Sequence, residues 1–178
     1  MTIAVAALDA MPGPDFRHAL GACCGAAAWV SGMEARRPFH TRDALLRAAD
    51  EVWNALTPAD WLEAFAHHPR IGERRAAADT GDTARQWSAG EQARAMDADA
   101  AARAELADAQ REYEARFGHI FLICAAGRTA AEVLAALRGR IRNAPDAELR
   151  VAAEEQRKIT RLRLEKLTAA GQHAGSTP

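Results

Sequence analysis

Apolar residues recur at three- and four-residue spacing along most of this chain, and helix start and stop signals cut the pattern into segments. That period belongs to amphipathic helices, which bury their apolar faces only by packing against one another. Phe16, Leu20, Cys23, Cys24, Ala27 and Val30 form the first run, after Pro12 to Pro14 closes a loose leader, and it breaks near Arg36-Arg37-Pro38. Thr41 is suited to cap a second helix through Leu45, Ala49, Val52 and Leu56. Thr57-Pro58-Ala59-Asp60 then supplies a cap, a proline at the first helical position and an acid at the third. This third helix stops at His68, because Pro69 disfavours the helical conformation in the residue before it.

Ser88-Ala89-Gly90-Glu91 reads as a capping box opening a long Ala-rich helix to about Phe117, with Gly118 as its stop. A short apolar connector follows, from His119 to Gly127. Thr129-Ala130-Ala131-Glu132 is a second box, ahead of a helix through Val133, Leu134, Leu137 and Ile141 that ends at Asn143-Ala144-Pro145. A last helix runs from about Pro145 to Ala170, stopped by Gly171. Composition supports helices over strands, since Ala dominates an apolar fraction of 49% that holds one Tyr and five Phe. A chain of 178 residues suits one core. The expectation is an all-α, single-domain bundle of about six to seven helices over residues 1–171, with a disordered tail at 172–178.

A formal charge of −1 leaves no net field for phosphate backbones or anionic lipid, despite the local basic cluster from Arg70 to Arg75. Cys23 and Cys24 are adjacent and Cys124 stands alone, so neither a disulfide framework nor a C-x-x-C site is expected. No stretch approaches the roughly 20 apolar residues that a membrane span needs, and Met1 to Met11 lacks a positive leader. A soluble, cytoplasmic protein without nucleic-acid or membrane partners is expected.

Several polar residues fall where apolar ones belong. In the last helix, Leu149, Ala153, Ile159 and Leu167 share one face while Glu154, Lys158, Arg161 and Glu165 lie opposite, yet Arg163 sits inside the apolar stripe. A guanidinium cannot shed its charge to escape burial, so Arg163 needs a carboxylate, backbone acceptors or an anionic ligand; a buried structural ion pair answers equally well. In the long helix, Glu91 and Gln92 flank the stripe of Leu106, Tyr113 and Phe117, although Glu91 also fits a capping role. His67 and His68 end a helix before an irregular stretch from Pro69 to Trp87, which we read as a candidate site wall, and histidine there suits general acid–base chemistry. His67, His68 and His119 could instead hold a metal in a helical hydrolase, though adjacent side chains diverge and no H-E-x-x-H spacing is present. A non-enzymatic helical ligand-binding domain, with the same polar residues forming a structural network, is the other alternative.

These features occur in a telling order: His68-Pro69-Arg70-Ile71-Gly72, Glu91-Gln92, Phe117-Gly118-His119-Ile120-Phe121 running into Ile123-Cys124-Ala125, Arg140-Ile141-Arg142-Asn143, then Lys158-Ile159 and Leu162-Arg163-Leu164. The set resembles the 2-oxo-4-hydroxy-4-carboxy-5-ureidoimidazoline (OHCU) decarboxylases, over nearly the whole chain from Phe16 through Trp29 and Arg37-Pro38-Phe39 to Leu167. Two departures are the second histidine at position 67 and a loop, 73–87, rich in Arg and Ala. The resemblance implies an all-helical homodimer of urate and purine breakdown that releases CO2 from the ureidoimidazoline to give (S)-allantoin, without metal or organic cofactor. It implies catalytic roles for His68, Glu91 and Arg163. It also implies substrate contacts from Pro69, Gln92, Phe121, Leu122, Ile123 and Arg163.

Overall fold

The computed structural model describes residues 3–72, 82–96 and 100–169. Among them lie nine helices and no strand: α1 (Val5–Asp9), α2 (Gly13–Cys23), α3 (Ala27–Glu34), α4 (Arg42–Asn54), α5 (Pro58–Ala66), α6 (Asp82–Met96), α7 (Ala100–Phe117), α8 (Ala130–Arg140) and α9 (Pro145–Thr168). The all-α class holds. None of these helices is long and apolar enough to cross a membrane.

Three of the expected caps form. The Thr41 hydroxyl accepts from the Ala44 amide at 3.2 Å. Thr57 with Asp60, and Thr129 with Glu132, close reciprocal capping boxes at α5 and α8, satisfying first-turn donors that no intrahelical carbonyl can reach. The α9 helix packs against α2, α4 and α5, so the largest core gathers around it, with Phe16, Trp29, Leu45, Phe65 and Leu164 buried together. A second core lies between α7 and α8, around Tyr113, Val133 and Leu137. The connector after α7 joins the two. Leu122 packs in the first core while Phe121 and Ile123 pack in the second, the alternation of an extended chain.

Nine helices replace the expected six or seven for three reasons. The leader is not loose: it forms α1, buries Leu8 completely, and ties the Ile3 amide to the Leu167 carbonyl at 2.6 Å. Arg37 reaches the carbonyls of Leu8, Asp9 and Met11, so the end of this short helix is satisfied by a side chain. The run from Phe16 to Val30 is two helices, because the chain extends at Cys24 and passes close to α5. A Cβ on Gly25 would lie 2.3 Å from Cγ of His67, so only glycine allows that approach.

The long helix expected from Ser88 to Phe117 is likewise two, α6 and α7. Because α6 already starts at Asp82, Ser88 is not an N-cap and Glu91 is not a capping residue. Helix covers 82–87 of the stretch read as irregular; 69–72 is irregular, and the rest of that loop, 73–81, lies outside the described residues, as does the tail at 172–178.

Candidate functional site

A small cavity, partly open to solvent, lies where α5, α6, α9 and the α7–α8 connector converge. His68, Pro69 and Ile71 form the wall that leaves α5; Ser88, Glu91 and Gln92 come from α6; Phe121, Leu122, Ile123 and Ala125 come from the connector; Ile159 comes from α9. The helix ends at Ala66, two residues before His68, whose amide still bonds the Phe65 carbonyl at 3.0 Å, and the histidine is 8% exposed. Every residue expected at the site lines this cavity except Arg163.

Arg163 stands behind Glu91. Its Nε donates to Oε1 of Glu91 at 3.2 Å and its Nη2 to Oε2 at 3.0 Å. The Nη2 also donates to the Ser88 hydroxyl at 2.8 Å, and Nη1 to the Ala22 carbonyl at 3.3 Å. Lys166, one turn along α9 at i+3, adds a third bond to Glu91 at 3.1 Å. Two cations therefore meet one carboxylate. Arg161, on the same helix, points outward to Asp50.

The remaining walls are held by polar side chains. Gln92 accepts from the Gly72 amide at 3.3 Å. Glu155 accepts from the Cys124 amide at 2.8 Å and from Lys158 at 2.7 Å. Arg140 donates to the Leu122 carbonyl at 2.8 Å, lies over the Phe121 ring at 4.6 Å, and bonds the fully buried Glu148. Asn143 and the Tyr113 hydroxyl complete the coordination of Glu148. Burial, and then the bond to Glu148, push the Tyr113 phenol up from its ordinary value. The Arg140-to-Asn143 run thus scaffolds the connector instead of lining the cavity.

His67 is exposed, and His119 packs among Phe65, Tyr113 and Phe117 with its Nδ1 against the Ile120 carbonyl. Among the described residues no three His, Cys, Asp or Glu side chains converge as a metal set. Burial holds the Cys24 thiol up to about 12 and pushes Cys23 up further, so neither offers a thiolate nucleophile near neutrality. Sequence reasoning missed Ser88, Ile71, Ala125 and Ile159 as lining residues and Glu155 and Gln110 as wall supports. Ser88 was hidden by its apparent cap role. Gln110 had a signal, because it falls at helical spacing between Leu106 and Tyr113 on the buried face of α7.

The family model described as OHCU decarboxylase matches residues 9–165 of the chain. The chain belongs to the OHCU decarboxylase family. It is 43% identical over 145 residues to the uric acid degradation bifunctional protein TTL of Arabidopsis thaliana, a match covering 82% of this chain and 45% of that protein. The uric acid degradation bifunctional protein of Bacillus sp. (strain TB-90) is 24% identical over 171 residues, covering 96% of this chain and 33% of that protein. The chain thus spans less than half the length of these curated relatives.

Among solved structures, an OHCU decarboxylase crystallised in the presence of (S)-allantoin superposes with a TM-score of 0.74 at 38% identity, covering 85% of this chain and 98% of that one. An (S)-allantoin synthase shares the fold, with a TM-score of 0.68 at 21% identity over 93% of this chain and 54% of that one.

Proposed function

We propose that this chain, like the OHCU decarboxylases it resembles, converts 2-oxo-4-hydroxy-4-carboxy-5-ureidoimidazoline to (S)-allantoin and CO2. One observation carries the reading: His68 shares a cavity with Glu91, whose carboxylate is met from behind by both Arg163 and Lys166. The relative crystallised with (S)-allantoin supports the product class.

When the carbon–carboxylate bond breaks, CO2 leaves and its bonding pair shifts toward the neighbouring ureido-bearing ring carbon and its C=N bond, leaving an enol whose hydroxyl becomes the ring carbonyl of allantoin. Positive charge near the developing enolate-like oxygen lowers that barrier, and Arg163 with Lys166, the two cations held behind Glu91, supply it. One proton must then reach the ureido-bearing carbon from one face, which sets the (S) configuration. His68 delivers it, with Pro69 fixing its backbone and Glu91 orienting the ring. Gln92, whose carbonyl is held by Gly72, has its amide NH2 free among the described residues to bond the ureido or ring amide. Phe121, Leu122 and Ile123 shape the remaining wall. Acid–base action of this kind contributes about 10²- to 10⁴-fold, enough for a substrate that already decays, so the reading calls for no metal or organic cofactor.

The proposal includes a homodimer acting in the cytoplasm, which light scattering and cell fractionation test. CO2 release from freshly generated substrate tests the reaction: acceleration by the wild type, and a return to the spontaneous rate in His68→Asn, is the expected result. Acceleration that survives in His68→Asn removes His68 from the mechanism.

A further inference from the structure

The wall carrying His68 leaves α5 and runs to Gly72 without regular secondary structure. Such backbone keeps its place only through hydrogen bonds supplied by other groups. Ile71, which lines the cavity, has both of its backbone groups bound by one side chain: its N–H donates to Oε1 of Gln110 at 3.0 Å, and its carbonyl accepts from Nε2 of Gln110 at 3.0 Å. Gln110 is 3% exposed, and both bonds are buried. A single primary amide thus pairs with Ile71 as a neighbouring strand would.

Two further ties on this segment among the described residues are more exposed. Glu114, one turn along α7, takes two bonds from Arg70 at 2.6 and 2.7 Å, but the pair is solvent-exposed. Gln92 reaches Gly72 at 3.3 Å, the longest of the set. The Gln110 bonds are buried, so water cannot replace them without entering the core around Leu106 and Tyr113.

We infer that Gln110 is a positioning residue for the decarboxylation: without lining the cavity, it fixes the Pro69–Ile71 wall and, through that wall, the place from which His68 delivers its proton. The inference rests on the proposed function. An apolar replacement strands two buried backbone groups, and the wall must shift to find partners. A shift of about 1 Å at a reacting group is enough to cost about 10²-fold in rate. Because the face of protonation depends on where His68 sits, the shift also lowers the enantiomeric purity of the allantoin formed.

The test compares wild type, Gln110→Met and a control of similar stability loss remote from the cavity, Val52→Ala, with rates per folded molecule and product chirality at enzyme excess. Gln110→Met is expected to lose tenfold or more in kcat with a smaller change in KM and a falling (S) excess, while Val52→Ala keeps both kcat and chirality. If Gln110→Met does not fold, Gln110→Asn, whose amide stops one methylene short of Ile71, gives the same reading. Equal kcat and undiminished (S) excess in the Gln110 variant overturn the inference. Amide hydrogen exchange on the wild type is an independent check: Ile71 is expected to be protected, and free exchange there overturns the clamp. A wild type that forms no (S)-allantoin overturns the decarboxylase reading and with it the catalytic consequence, while the exchange result still reports on the clamp itself.

Discussion

Arg163 on α9 and Glu91 on α6 meet 72 positions apart in the chain through two parallel hydrogen bonds of 3.2 and 3.0 Å, both side chains almost fully buried. The planar fork of arginine matches a carboxylate in a way lysine cannot. Removing one member of a buried pair leaves the other charge stranded, at a cost of about 3–5 kcal/mol. Arg163→Met is therefore expected to lose stability of this order in denaturant titration, with Lys166 limiting the loss, and to lose activity. Arg161→Ala removes an exposed contact with Asp50, is expected to cost under about 1 kcal/mol, and should turn over near the wild-type rate. The opposite ranking of the two arginines contradicts this placement.

The two histidines separate cleanly. His68 lines the cavity, whereas His67 is exposed and abuts Gly25. His68→Asn is expected to reduce kcat by about 10²- to 10⁴-fold with little change in melting temperature. His67→Asn should retain most of the activity. Steady-state kinetics of both variants beside thermal unfolding decide the matter.

Gly25 makes a different kind of prediction, because a Cβ there would lie 2.3 to 2.6 Å from Cγ, Cδ2 and Cβ of His67. Gly25→Ala must push the end of α5, and overpacking of this kind costs about 1–3 kcal/mol. His67→Ala in the same chain should recover much of that loss, a coupling that a double-mutant cycle reads directly. Gly21→Ala, in the interior of α2 with nothing within 4 Å of the added methyl, should instead stabilise by up to about 1 kcal/mol.

Tyr113 sets an alkaline limit. Burial and then the bond to Glu148 raise its phenol above the ordinary value of 10.0, so the folded state favours the neutral form. The resulting stability is fully present below that ordinary value and is lost as pH rises beyond it, because the unfolded chain ionises first. Unfolding free energy should fall above about pH 10. Tyr113→Phe should flatten that decline while lowering stability near neutrality through loss of the bond to the buried Glu148.

Much of this architecture is legible in the sequence because it is local. Thr57, Thr129 and Pro69 declare their helix ends within four residues, and Arg163 betrays itself by interrupting an apolar stripe. What stayed hidden depends on partners distant in the chain. Nothing near Cys24 says that His67 will crowd Gly25, so the break between α2 and α3 is invisible locally. Ser88 and Glu91 carry the spacing of a capping box, but an earlier helix start at Asp82 turns them inward to meet Arg163. Likewise the leader reads as loose until Arg37 and Leu167 supply bonds to it from the middle and the end of the chain.

The most direct test follows the chirality of the product. Circular dichroism of a freshly generated urate-oxidation mixture, containing the hydrolase that acts upstream, is recorded with and without this protein. Rapid growth of the (S)-allantoin signal on addition of the protein is the predicted result. Decay at the spontaneous rate to racemic allantoin, in the presence of folded protein, contradicts the account.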